Sequence, residues 1–280
     1  MDGGGRLSTS LTSPYRLAIV GGLGCSGQYL RALETALLRI APDVSVSLFP
    51  LQHGLSLEEE ADWIAHRLRA GVSLVGFSTG CAVVMRMAHR DPGLARRTVL
   101  VAPAELHTRL DAPTREWLLQ GGAPGPAPAH DASWLAIWRG RLRRSWLWWR
   151  VVGWYWVLTG LRALGTPAAW LARAYDLLIG RAAGDPDPAE LARSFFAVPP
   201  SDLRRTVASC LVGADLTRWV REAPQPVHVL VGRLDPYLPY STFLAATTPH
   251  VRLHLAEGNH HLLYNRPGAA ARRLAAILRL

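Results

Sequence analysis

The strongest constraint on the fold of this chain is a rhythm. Short runs rich in strand formers alternate with segments of helical period, beginning with "YRLAIVGG" at 15–22 and "QYLRALETALLRIAP" at 28–42. The pattern continues through "VSVSLF" (44–49), "SLEEEADWIAHRLRA" (56–70), "VSLVGF" (72–77), "TGCAVVMRMAHR" (79–90) and "RTVLVAPA" (97–104). It breaks there and resumes with "QPVHVLVGRLDP" (225–236), "STFLAATTP" (241–249), "VRLHLAEGNH" (251–260) and "PGAAARRLAAILRL" (267–280). Strand–helix alternation of this kind builds βαβ units, and so a parallel sheet with helices on both faces. A sheet interrupted after its fourth strand and completed later predicts an inserted cap. The predicted organisation is a flexible N-terminus over residues 1–13, a core over 14–104 and 222–280, and a helical insertion over 105–221.

The segment 56–70 starts with a Ser cap and an acidic first turn and ends basic, which complements a helix dipole. The segment 28–42 stops at Pro42, and 79–90 stops at Asp91-Pro92. Inside the insertion, "GGAPGPAPAHDA" (121–132) reads as a linker and "GDPDPAE" (184–190) as a turn opening a helix at Pro188.

Against this frame "VGFSTGCAVVMRM" (75–87) acquires a context. Ser78 ends one predicted strand and opens the next helix. On that sharp turn a serine projects its hydroxyl above the sheet. Gly76 and Gly80 are expected because the turn brings neighbouring backbone too close for a Cβ. The helix N-terminus behind Ser78 offers N–H groups to a developing oxyanion. A serine needs a base, and the base needs an orienting carboxylate. Asp235 follows "VHVLVGRL" and His260 follows "VRLHLAEGN", each at the C-terminal end of a predicted strand, where open α/β sheets place their sites. Glu105, after the fourth strand, is the rival acid. The turn reading of Asp235 before Pro236 is open beside the catalytic one.

These pieces are similar to the α/β-hydrolase superfamily over residues 14–280. "GFSTG" resembles its nucleophile elbow, "VGRLDPYLP" its acid loop and "EGNHHLLYNRP" its histidine loop. His260, seven residues before Pro267, fits the family register; His261 is one residue out. "FPLQHGLS" is similar to the loop after the family's fourth strand. The resemblance implies an oxyanion hole made by the backbone N–H of Thr79 and of Leu23, which follows Gly22 in "VGGLGCSG"; Gly21 stands where the family commonly has histidine. It also implies that the first strand here corresponds to the family's third. The expected fold class is therefore α/β, a mostly parallel sheet of about six strands flanked by helices, with an inserted helical cap.

Eight of the 11 tryptophans fall between 134 and 170 (Trp134, Trp138, Trp146, Trp148, Trp149, Trp154, Trp156 and Trp170), mixed with Arg139, Arg141, Arg143, Arg144 and Arg150. Three readings compete. The stretch forms amphipathic cap helices roofing an apolar pocket; or it docks on a membrane surface, with Trp at headgroup level and Arg on anionic lipid; or residues 146–165 span a bilayer, against which stand Arg150 and Arg162. Nucleic acid is not an expected partner, since the apolar content exceeds that of an exposed stacking groove.

The net charge is +10 with a sequence pI of about 10.5, and every one of the 31 basic residues is arginine. Composition bias accounts for the absence of lysine; a surface that meets anionic partners is the functional reading. Cys25, Cys81 and Cys210 lie far apart with no metal spacing and read as free, small apolar side chains. His53, His107, His228 and His254 read as structural or surface. No apolar signal core occurs near the N-terminus, so a cytoplasmic location is expected, with peripheral membrane contact through the cap as an option.

The function expected is a serine hydrolase cleaving an ester or thioester of a hydrophobic acyl substrate through Ser78, His260 and Asp235, with neither cofactor nor metal. Two alternatives stand beside it: C–C bond cleavage or cofactor-free perhydrolysis on the same triad, and a non-catalytic binding or membrane-associated module on a hydrolase scaffold.

Overall fold

The computed structural model describes residues 15–25, 27–52, 54–109, 112–119, 198–235 and 237–280. The predicted flexible N-terminus, the 121–132 linker, the tryptophan-rich stretch 134–170, the 184–190 turn and His53 lie outside the described residues.

Among the described residues, six parallel strands form one sheet in the order β2-β1-β3-β4-β5-β6. They are β1 (Tyr15–Val20), β2 (Val44–Phe49), β3 (Val72–Phe77), β4 (Ala95–Val101), β5 (Val227–Gly232) and β6 (Val251–Ala256). Each sits on one of the predicted apolar runs. The expectation of a mostly parallel sheet of about six strands holds, and every pairing is parallel. β3 is buried along its whole length, which is why "VSLVGF" reads as a continuous apolar run rather than an alternating one.

Helices cover both faces. On one, α2 (Leu57–Ala65) and α3 (Gly80–Arg90) join a core with Val20, Leu74, Leu100 and Val229. On the other, α1 (Gly27–Ile40) packs with the C-terminal helix around Ile19, Val75, Val99 and Leu230. After β4 come α4 (Ala112–Leu119), α5 (Pro200–Thr206), a π-helical turn (Val207–Gly213) and α6 (Leu216–Glu222). After β5 come α7 (Leu238–Thr247), α8 (Leu262–Asn265) and α9 (Pro267–Leu278).

One boundary differs from expectation. The helix predicted over 56–70 stops at Ala65. There the Arg67 N–H turns to the Ile64 carbonyl at 2.9 Å, and the Arg67 guanidinium donates at 2.6 Å to the Trp63 carbonyl that a further helical turn would have used. Its start behaves as read: Ser56 accepts from the Glu59 N–H, and Glu59 accepts from the Ser56 N–H at 2.7 Å. The segment read as an insertion, 105–221, also supplies side chains to the core. Cys210, Ala214, Leu216 and Val220 are buried in the α2–α3 core, so its C-terminal end belongs to the helical layer on the sheet. A short apolar segment with no adjoining strand carries no signal of which layer it joins.

Glu60 is a polar element of that core. It is buried, its carboxylate accepts the Gln52 N–H at 3.0 Å and 3.2 Å, and burial raises its pKa to about 7. A raised carboxyl favours folding fully below its unfolded value, and that contribution is lost as pH rises through 7. Glu60→Gln, which keeps one acceptor for Gln52, is therefore expected to leave the Tm unchanged at pH 4 and to raise it at pH 8. Thermal unfolding at the two pH values checks this; a lower Tm at both contradicts it.

Candidate active site

Ser78 stands directly after β3, and its backbone is held in place from both sides. Its N–H donates to the Val101 carbonyl at 2.9 Å, and its carbonyl accepts from Cys81 N–H at 3.1 Å as α3 begins. Its φ is +52°, a left-handed conformation uncommon for a residue with a Cβ. The turn is tight. A Cβ on Gly76 would lie 2.6 Å from the Gly80 carbonyl oxygen, and one on Gly80 would lie 2.6 Å from the Val20 oxygen and collide with the Gly21 carbonyl. The obstacles are backbone atoms at the core of the sheet, which cannot swing away as side chains do. Gly80→Ala is expected to destabilise the protein by roughly 1–3 kcal/mol, read as a lower denaturation midpoint; an unchanged midpoint would refute the packing argument.

The candidate base and acid come from neighbouring loops at the same end of the sheet. His260 Nε2 lies 3.0 Å from Ser78 Oγ. Its Nδ1 lies 3.1 Å and 3.2 Å from the two oxygens of Asp235. Asp235 is 4% exposed, so little water screens this pair. The turn reading of Asp235 holds as well: its Oδ1 accepts from the Tyr237 N–H at 2.7 Å, which aims the carboxylate. The two loops are also joined through their backbones. Arg233 N–H donates to the Ala256 carbonyl and Leu234 N–H to the Gly258 carbonyl, both at 3.0 Å.

Glu105, the rival acid, is fully buried elsewhere. It accepts from Thr108 Oγ1 at 2.8 Å and from the N–H and Oγ1 of Thr217 at 3.3 Å and 3.0 Å. Its role there is to tie the chain after β4 to α6. His261 points away from the serine. Its Nδ1 lies 3.0 Å from the Tyr29 hydroxyl, and burial, then the neighbouring His260, holds its pKa well below the ordinary histidine value. It stays a neutral packing ring set edge-on to His260.

The loop after β1 abuts the serine: a Cβ on Gly22 would lie 2.8 Å from that of Ser78. The Gly22 carbonyl accepts from Cys25 N–H at 3.1 Å, closing the turn that carries Leu23. Among the described residues, neither the Leu23 N–H nor the Thr79 N–H donates to any protein acceptor. Unengaged amides on the residues that follow Gly22 and Ser78 are available to donate to a developing oxyanion.

Some contributors escaped the sequence reading. Asn259 is 1% exposed, and its Oδ1 accepts from the His261 N–H at 2.9 Å and from Asn265 Nδ2 at 3.1 Å, which shapes the loop that presents His260. Its place in "GNHH" was the only available signal. Phe77 and Tyr237 flank the His260 ring at centroid distances of 5.5 Å and 5.2 Å. The thiols of Cys25 and Cys81 are buried, and burial pushes Cys25 up to about 12 and Cys81 well above its ordinary value; both are packing groups. Among the described residues, no group of three or more His, Cys, Asp or Glu side chains is arranged to hold a metal.

No protein-family model and no curated protein matches the chain. Solved structures do. A hydrolase from Oleispira antarctica superimposes with a TM-score of 0.61 at 15% identity, covering 95% of this chain and 91% of that one. The enol-lactonase from Burkholderia xenovorans gives 0.61 at 14%, covering 97% and 94%. The N-formylmaleamic acid deformylase from Pseudomonas putida gives 0.59 at 16%, covering 93% and 91%. Likeness at this identity speaks to architecture, and it agrees with the sheet order and crossover helices described above. This chain has the α/β-hydrolase fold.

Proposed function

We propose that this protein is a serine hydrolase that cleaves an ester or thioester of a hydrophobic acyl group. The observation that carries the reading is the continuous run of contacts from Ser78 Oγ through both nitrogens of His260 to Asp235. In this mechanism His260 Nε2 removes the hydroxyl proton as Ser78 Oγ attacks the acyl carbon. Asp235 fixes the tautomer with the proton on Nδ1 and stabilises the imidazolium that forms. The Leu23 and Thr79 amides receive the oxyanion. The imidazolium returns its proton to the leaving alcohol or thiol, leaving an acyl-serine. Water, deprotonated by His260, then attacks that ester and restores the serine.

The hydroxyl is prepared for attack by its surroundings. The strained φ at Ser78 fixes its direction, and the buried carboxylate acts on the imidazole with little screening. The preference for a hydrophobic acyl group rests on the tryptophan-rich insertion as read from sequence, and so does the option of peripheral membrane contact. The test is labelling with a fluorophosphonate probe, followed by a series of p-nitrophenyl esters and acyl thioesters of increasing chain length. Stoichiometric labelling at Ser78 with kcat/KM rising along the series is expected. No labelling of folded protein, or a preference for the shortest acetyl ester, contradicts the respective half of the proposal.

A further inference from the structure

The arginines of this chain are distributed in two ways. On the face formed by α2, α3, α5 and α6 most are paired with carboxylates: Arg86 and Arg90 with Glu58, Arg90 with Asp62, Arg205 with Glu59, and Arg218 with Glu222. Along the sheet edge that β6 forms with α9, Arg272 and Arg273 are not, and Arg233 has only a long, exposed pair with Glu257. There a groove of about 450 Å³ is lined by Arg233, Arg272 and Arg273 together with Leu255, Glu257 and alanines. Among the described residues, Arg272 and Arg273 make no ion pair or hydrogen bond. Glu257 is the one carboxylate in the lining. It is 3.7 Å from Arg233 and 87% exposed, so water screens it heavily.

Three guanidinium groups facing one space repel each other unless an anion sits among them. The lining carries a net charge of +2, equal and opposite to a phosphate monoester dianion. Guanidinium forks match phosphate oxygens in pairs, which ammonium groups do not. Ala256, Ala269 and Ala276 leave space beside the charges, and with Leu255 they supply an apolar wall for an organic group. The volume falls within the range of sites for small organic ligands. The positive field reaches the adjoining strand: the pKa of half-buried His254 is lowered by burial and then by Arg273 and Arg252.

We infer that the groove between β6 and α9 binds a phosphate monoester carried on a small organic group, through Arg233, Arg272 and Arg273. The ligand is either a free phosphorylated metabolite or the headgroup of a membrane lipid, since both present the same chemistry. The groove lies outside the Ser78 machinery, so this binding stands or falls independently of hydrolysis.

Calorimetric titration with glycerol 3-phosphate, with glycerol as the blank, tests the soluble source. Sedimentation with phosphatidylcholine vesicles, with and without phosphatidic acid, tests the membrane source. Saturable binding is expected in at least one arm, weakened about 10–100-fold in Arg272→Gln/Arg273→Gln. The exposed pair on α1, Arg31→Gln/Arg39→Gln, removes the same charge and should leave binding unchanged. A thermal midpoint close to wild type establishes that each variant is folded. Binding confined to the soluble arm identifies a free ligand; binding confined to phosphatidic acid vesicles identifies a headgroup. Absence of binding in both arms overturns the inference, as does equal weakening in the two variant pairs, which would mean a response to overall charge.

Discussion

Ser78→Ala is expected to lower ester hydrolysis by roughly 10⁵–10⁶-fold and to abolish fluorophosphonate labelling, with almost no change in stability. The substitution removes one oxygen and keeps the Cβ, so the strained turn at φ +52° is neither relieved nor worsened. The oxygen that goes is the one 3.0 Å from His260 Nε2, and the imidazole then has nothing to deprotonate except water. The pair of amides and whatever binding the site provides are untouched, and they set the residual rate. The measurement is kcat/KM on the best p-nitrophenyl ester beside a thermal denaturation curve. Hydrolysis persisting within tenfold of wild type, with an intact fold, would mean that another group is the nucleophile and would remove the proposed mechanism.

The second large effect is Asp235→Asn, for which a loss of about 10⁴-fold in kcat is expected. The Asn carbonyl can still accept from the Tyr237 N–H and preserve the turn. The amide NH₂ then faces His260 Nδ1 in place of a carboxylate oxygen at 3.1 Å. It donates where Asp accepted, so the imidazole proton moves to Nε2, and that nitrogen can no longer take the Ser78 proton. Glu105→Gln gives the contrast. Glu105 serves Thr108 and Thr217, so this variant should lower the Tm while kcat stays within a few-fold of wild type. Reversal of the two results, with Glu105→Gln inactive and Asp235→Asn active, would reassign the acid.

The elements with strong local signals could be read directly. The inner strands could be placed because buried parallel strands are near-continuous apolar runs, and the edge strands β2 and β6 because apolar and polar residues alternate along them. The pairing of Ser78 with His260 and Asp235 was legible because each closes such a run, and parallel strands deliver their C-terminal ends to one rim. Other features depend on partners far away in the chain. Nothing near Tyr29 announces that its hydroxyl will meet His261, 232 positions later, and hold that ring apart from the serine. The allegiance of α6 to the core is set by α3, which it covers, and no periodicity within seven residues can report that. The groove arginines were visible only as composition. It took the paired arginines of the opposite face to make the unpaired Arg272 and Arg273 informative.

The backbone tie between the loops after β5 and β6 has a consequence for how this molecule ages. His260 follows the edge strand β6 and is tied to the loop of Asp235 after its neighbour β5, while Ser78 follows β3 in the interior of the sheet. Boundary strands open more readily than central ones. Gentle heating should therefore silence the protein by parting that pair from the hydroxyl while most far-ultraviolet ellipticity survives. Amides of β6 would exchange with deuterium on the timescale of inactivation, and those of β3 would remain protected long after.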